Sequence, residues 1–338
     1  MKITAVQQCA RAFTLIGALL TSPCLPCSAA APMAKSQPGF YRMMLGEFEV
    51  TAVNDGVVTY PTTRVLPTAT AEQIKKGLSE NALADPVAMS YNAFLINTGD
   101  ELVLIDTGTG GKLGDQPEFH GAGHLIENIR AAGYCPAQID AILITHRGQD
   151  HIGGLTIANQ RAFPNAIVWA PKSEFDIFLD PAKMSAFVAE SHHDDKVRAW
   201  LDFTRQLFEP YIKAGKFRSF EQDQTLVPGI RSVATHGHTP GHTSYAVESR
   251  GRTLIVMGDL VLMGALQFMY PSLGSSFDVD PKAAAVQRQR VLRLASEKDY
   301  WLAGAHLSFP AIGHVRVASG GYVWIPINYS TLNQSDLQ

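Results

Sequence analysis

Cysteine is scarce and poorly placed for cross-linking: of four, Cys9, Cys24 and Cys27 fall in the first thirty residues, which leaves Cys135 alone in the remainder. A lone thiol excludes both an internal disulfide framework and a zinc site built from cysteines. Long apolar runs are also missing. No stretch after the first thirty residues has the roughly 20 uninterrupted apolar residues that a membrane-spanning helix requires, so no transmembrane segment is expected. Neither sign of charge dominates, with 28 Lys and Arg against 31 Asp and Glu, which argues against nucleic acid as a partner. Acids are absent from the first thirty residues, which carry Lys2, Arg11, a mostly apolar run from Ala12 to Leu20, and small residues at Ser28-Ala29-Ala30-Ala31. This pattern predicts a cleaved secretory signal over residues 1–30, and hence a periplasmic protein consisting of one domain over residues 31–338. Losing Lys2 and Arg11 would shift the formal net charge from −3 to −5.

What remains is apolar enough, at 46% hydrophobic residues in 338, to bury a large core. Apolar residues alternate around Glu47 to Val53, and Asn54-Asp55-Gly56 supplies hairpin chemistry, so the domain is expected to open with antiparallel strands. Two further strands are predicted at 93–97 and 102–106, then a helix over 124–132 that ends at Gly133. Strands recur at 141–145, 166–170, 230–235, 244–248 and 253–257. Helices are predicted at 71–81, 172–179, 196–213 and 281–296. Strand-rich halves with helices between them fit two packed sheets with helices outside, an α/β arrangement of α+β type.

Histidine and aspartate collect where these strands stop. The strand Ala141 to Thr145 runs into His146, and Asp150 and His151 follow within five residues. His238 follows Ser232 to Thr235, Asp259 follows Leu254 to Val256, and His306 sits in Ala305-His306-Leu307. Imidazoles and carboxylates at strand ends suit zinc, manganese or iron. A shared carboxylate can hold two such ions about 3.5–4 Å apart, and the pair lowers the pKa of bound water while polarising an ester or phosphoryl oxygen. The pattern therefore points to hydrolysis.

These residues, together with Gly39 to Gly46, Asp106-Thr107-Gly108, Pro210 to Phe217, His236 to Tyr245 and His306 to His314, resemble the metallo-β-lactamase superfamily, and within it methyl parathion hydrolase and related lactonase-like hydrolases. The resemblance runs from about Pro38 to Tyr329. It implies an αβ/βα sandwich of two mixed β-sheets with outer helices. By it, His146 and His238 belong to one metal site, Asp150, His151 and His306 to the other, and Asp259 bridges both. Asp150 and Asp259 would be the catalytic carboxylates that hold a metal-bound hydroxide as nucleophile, and Asp106 would support the metal loop from behind. His236 and His242 are expected to be structural or to lie behind the ligands.

One position departs from the family pattern, because Gly148 stands where its second histidine belongs. Three ligands still suffice for a zinc with an open position, so one or two ions of zinc or another divalent transition metal are expected per chain, one of them weakly held, with Arg147 and Gln149 available to fill the space. The implied substrate is a small apolar ester, lactone or phosphotriester in a pocket lined by Phe119, Phe178 and Trp200, and homodimers are common among such relatives. The alternative is an exported binding protein that keeps the fold while catalysis is impaired by Gly148.

Overall fold

The computed structural model describes residues 37–111, 119–190 and 195–329; the predicted signal at 1–30 lies outside them. The described residues from Pro38 on belong to one compact unit. Its first sheet has the order β1-β2-β3-β4-β5-β8-β9, with β1 at Phe40–Leu45, β2 at Phe48–Tyr60, β3 at Val87–Asn97, β4 at Leu102–Ile105, β5 at Ala141–Leu143, β8 at Ile167–Pro171 and β9 at Phe217–Phe220. It is antiparallel from β1 to β4 and parallel from there to β9. The second sheet runs β10-β11-β12-β13-β14-β15-β16 through Thr225–Val227, Ile230–Ala234, Thr243–Ser249, Arg252–Val256, Trp301–Ala303, Ile312–Ala318 and Gly321–Pro326. Only the β13–β14 pair in it is parallel. A two-residue ladder, β6 with β7, joins Thr156–Ile157 to Gln160–Arg161.

Alternation along the strands decides which face each residue enters. Phe94, Ile96, Val103 and Ile105 point between the sheets, where they meet Tyr245, Val247, Leu254, Val256, Leu302 and Ile312. Their neighbours Ala93, Leu95, Leu102 and Leu104 point the other way, against Leu125 and Ile129 of helix Leu125–Ala131 and against Leu207 and Tyr211 of helix Asp195–Lys213. These are the two mixed sheets with outer helices expected from the sequence.

One expectation fails. Asn54-Asp55-Gly56 is not a hairpin turn but a bulge within β2, which stays paired to β3 on both sides of it. The hairpin comes earlier, at Gly46-Glu47, where Gly46 has φ of +58° and Leu45 pairs with Phe48. The bulge turns the fully buried Asp55 carboxylate inward. There it accepts from Thr109 N–H (2.9 Å), Thr109 Oγ1–H (2.7 Å), Gly123 N–H (3.2 Å) and Leu125 N–H (2.9 Å). A turn motif and a bulge share short polar residues and glycine, and only pairing over the whole strand separates them.

Candidate metal centre

Four strands of the two sheets end at one rim, and each delivers a metal-binding side chain type there. β5 ends at Leu143; beyond it Ile144 N–H still donates to Trp169 O at 2.9 Å, and Thr145 donates from N–H and Oγ1–H to the two Asp106 oxygens, each at 2.8 Å. His146 follows, and the short helix Gln149–Ile152 sets Asp150 and His151 beside it. β11 leads to the loop that carries His238, β13 to Asp259, and β14 to His306. Gly258 has φ of +57°, and a Cβ there would meet His242 Nε2 at 2.7 Å, so only glycine lets the chain turn Asp259 into the centre.

Asp259 is the hub. Its Oδ1 lies 2.9 Å from His151 Nε2 and 3.1 Å from His306 Nε2, and its Oδ2 lies 3.2 Å from His238 Nε2 and 3.7 Å from His146 Nε2. Asp150 Oδ2 completes the first group at 3.3 Å from His306 Nε2 and 3.6 Å from His151 Nε2. With zinc bonds of about 2.0–2.2 Å, tetrahedral ligands sit roughly 3.3 Å apart, so the donor spacing fits that geometry. Two clusters result, His146-His238-Asp259 and Asp150-His151-His306.

Hydrogen bonds behind the rings set which nitrogen faces inward. His151 Nδ1 donates to Asp106 Oδ2 at 2.7 Å and His238 Nδ1 to Asp278 Oδ1 at 2.9 Å. Thr145 Oγ1 already donates to Asp106, so it accepts from His146 Nδ1 at 3.1 Å. Each Nε2 therefore presents a lone pair. His151 Nε2 and Asp259 Oδ1 are both buried without a hydrogen-bond partner and face one another. Two lone pairs at that distance need a proton or a cation between them. The donor set thus fits a divalent metal.

Without a cation, protons take up that role. Burial pulls the His238 imidazole down, but Asp259 and then Asp278 outweigh it and push it up to about 9. His151 is likewise carried well above its ordinary value, against burial, by Asp259, Asp150 and Asp106. His146 goes the other way, held low by burial and by the charge on His151. His242, packed beside His146 and His238, is not aimed at Asp259's oxygens: its Nε2 accepts from the Asp259 backbone N–H at 3.0 Å and its Nδ1 donates to Thr235 O at 3.1 Å. Burial, then His238, holds it down at about 3. His236 is exposed.

Gly148 has an ordinary backbone, φ −60° and ψ 138°, so glycine is not required there for conformation. A Cβ at this position would lie 2.5 Å from His146 Nε2, 2.9 Å from His151 Cδ2 and 3.2 Å from Asp150 Oδ1. The His146 ring occupies the space a side chain would need. Arg147 does not fill it: the guanidinium turns away to Glu174, with Nε 3.0 Å from Oε2, and lies 4.7 Å over the Trp200 ring. Gly148→Ala is therefore expected to weaken metal binding about tenfold or more, the scale of an overpacked interior site, by driving a methyl group against a ligand nitrogen. Competition with a chromophoric chelator measures this, and unchanged affinity would show that His146 has room to yield.

A cavity of about 310 Å³ opens onto the centre, with His146, Gly148, Gln149, Asp150, His238, Asp259 and His306 in its floor and walls. Phe119 and Trp200 line it, whereas Phe178 lies on helix Lys172–Leu179 with its side chain outside the described residues. Sequence reasoning missed Tyr60, Met89, Tyr91, Leu262 and Phe277, which complete the wall. Tyr60 and Tyr91 share a 2.9 Å hydroxyl hydrogen bond, and Tyr91 meets His306 edge to face at 4.9 Å. The period-2 pattern continues from Ala93 back through Tyr91 and Met89, which was the available signal. Asp278, behind His238, had none, being 40 residues away in a loop.

A profile of the Metallo-beta-lactamase superfamily matches residues 87–306. Among solved structures, the hydrolase AbOPH in the beta lactamase superfamily is 30% identical, with a TM-score of 0.80 over 88% of this chain and 100% of that one. AidC, a dizinc quorum-quenching lactonase in complex with a product, is 26% identical, with a TM-score of 0.76 over 87% of this chain and 99% of its own. A "Probable metallo-hydrolase" of Mycobacterium tuberculosis is 27% identical over 195 residues, 51% of this chain. The chain spans 57% of that curated relative's length.

Proposed function

The chain belongs to the metallo-beta-lactamase superfamily, and we propose that it is an exported metal-dependent hydrolase of small apolar esters, lactones or phosphotriesters. The observation that carries this reading is Asp259, with each carboxylate oxygen facing two imidazole nitrogens at the floor of an aromatic cavity. His146, His238 and Asp259 would hold one ion, and Asp150, His151, His306 and Asp259 the other. Divalent metal at such a site lowers the pKa of water and polarises the oxygen of the scissile group.

The protein's own side chains do the rest. Asp106 and Asp278 keep the proton of His151 and of His238 on Nδ1, so that each Nε2 stays aimed at Asp259. Tyr60, Tyr91, Phe119 and Trp200 exclude water from the floor and offer flat apolar surface. Neither lysine nor arginine is among the described residues that line the cavity, which suits a neutral substrate better than an anionic one. The lactonase AidC supports lactones among these substrate classes, and Lys2, Arg11 and the apolar run after them support export through a signal over residues 1–30.

Gly148 favours a second reading, an exported binding protein with impaired catalysis, because it leaves one side of the centre with three protein ligands. Purified protein loaded with zinc, assayed on aryl esters, acyl-homoserine lactones and phosphotriesters beside an Asp259→Ala control, separates the two. Turnover that disappears in the control is the expected result. Tight binding of a panel compound without turnover supports the second reading, and less than about half an equivalent of metal per chain would sink both metal assignments.

A further inference from the structure

A fully buried arginine lies behind the half of the centre that lacks the family's histidine. Arg288, on helix Pro281–Lys298, donates from Nε to Leu260 O at 2.5 Å, and from Nη1 to Leu273 O at 2.7 Å and Pro271 O at 3.0 Å. Its Nη2 lies 3.9 Å from Asp278 Oδ2. Leu260 is the residue after Asp259, and Asp278 is the carboxylate that receives His238 Nδ1–H. One guanidinium thus reaches the backbone beside the bridging aspartate and the partner of a candidate ligand.

The loop that carries Asp278 also grips His238 by its backbone. Val279 N–H donates to His238 O at 2.9 Å and Asp280 N–H to Gly237 O at 2.8 Å. Asp278 is fixed in turn by Ser275 N–H, 2.7 Å from Oδ2. Asp280 caps the helix bearing Arg288, accepting from Lys282 N–H at 3.1 Å and Ala283 N–H at 2.9 Å. Gly237, with φ of +132°, lets that helix start against the His238 loop, since a Cβ there would lie 2.2 Å from Ala284 N. Burying an arginine is costly unless its donors are satisfied; here Nε and Nη1 are spent on loops that bear the centre, while the buried Nη2, without a hydrogen-bond partner, faces Asp278 as an ion pair.

We infer that Asp278 and Arg288 are positioning residues for the three-ligand side of the centre, and that metal affinity there depends on them; this rests on the metal reading of the site. The His151 side has its own supporting carboxylate, Asp106, and a fuller ligand set. On the His146 side no second carboxylate stands behind a ring among the described residues: His146 Nδ1 is held by Thr145 Oγ1, and His242 Nε2 accepts from the Asp259 backbone N–H. Losing Asp278 therefore falls on one ion only. Outer partners of ligating histidines are worth about 10–100-fold in metal affinity.

The test is release of zinc from the full-length loaded protein to a chromophoric chelator, for wild type, Asp278→Asn and Arg288→Lys. Wild type is expected to release its zinc in two steps. In Asp278→Asn the weaker step moves by about 10–100-fold and the tighter step stays, which also shows that the fold is intact. Arg288→Lys keeps the charge but cannot serve Leu260 O and Leu273 O together, and it moves the same step by less. Both steps moving together, neither moving, or a single step that ignores Asp278→Asn overturns the inference, as does failure of both variants to fold with zinc present. Absence of zinc in the wild type would instead overturn the proposed function.

Discussion

Replacing Asp259 by alanine is expected to empty both halves of the centre at once and to lower kcat/KM on any ester, lactone or triester the protein hydrolyses by about three orders of magnitude, roughly 4 kcal/mol. The size of the effect follows from geometry. Oδ1 serves His151 and His306, and Oδ2 serves His238 and His146, so no other side chain belongs to both clusters. Its removal also leaves four imidazoles converging on a space with no shared carboxylate at its centre, Asp150 lying on one side and Asp106 and Asp278 behind the rings. Single-sided variants give the contrast: His306→Ala and His238→Ala should each lower the affinity of one ion and largely spare the other. Metal analysis of the three variants, with kinetics on the best panel substrate, decides the matter. An Asp259→Ala protein that keeps its metal stoichiometry, or that turns over within tenfold of wild type, would remove Asp259 from the hub.

Stripping the metal should make stability fall as pH rises from about 6.5 to 9. In the metal-free protein His238 titrates near 9 instead of 6.5. The folded state therefore binds more protons than the unfolded one between those values, and that stabilisation is fully present below about pH 6.5 and lost as pH rises through 9. The shift corresponds to about 3 kcal/mol, to order of magnitude. His242 acts in the opposite sense at low pH: held near 3, it must be protonated on unfolding, so stability falls as pH drops from 6.5 toward 3. Bound metal takes the proton's place on His238 Nε2, which flattens the alkaline limb and adds about 4 kcal/mol at a free metal concentration a thousand times Kd. Urea unfolding of chelated and zinc-loaded protein between about pH 6 and 9.5 reads both effects. Parallel curves for the two forms would show that His238 does not exchange a proton for metal.

Much of this site could be read along the chain because its donors are punctuation marks. His146, Asp259 and His306 each lie just beyond the end of an apolar strand, and a polar group there is visible without coordinates. The wall of the cavity was less legible. Tyr60 and Phe277, 217 positions apart, meet edge to face at 6.1 Å, and nothing in either local pattern announces the other. Arg147 was the plainest misreading by adjacency. Next to the gap in sequence, it points away from it, because Glu174 on a separate helix offers a buried carboxylate. Asn54-Asp55-Gly56 misled for a different reason, since local turn chemistry was overridden by pairing along the whole of β2 and β3.

Sequence by itself determined the layered sheets, the residue types that reach the rim, and the absence of a second histidine at position 148. Those follow from hydrophobic period and from chemistry at strand ends, both of which are local. Only the tertiary structure decided how the donors are shared. It divided the Asp259 oxygens between two pairs of imidazoles, gave the Gly148 space to the His146 ring, and set Asp278 and Arg288 behind His238. The physical reason is that ligand geometry depends on where separate strand ends and loops come to rest after the sheets pack, and hydrogen bonds between residues tens of positions apart leave no periodic trace in the chain.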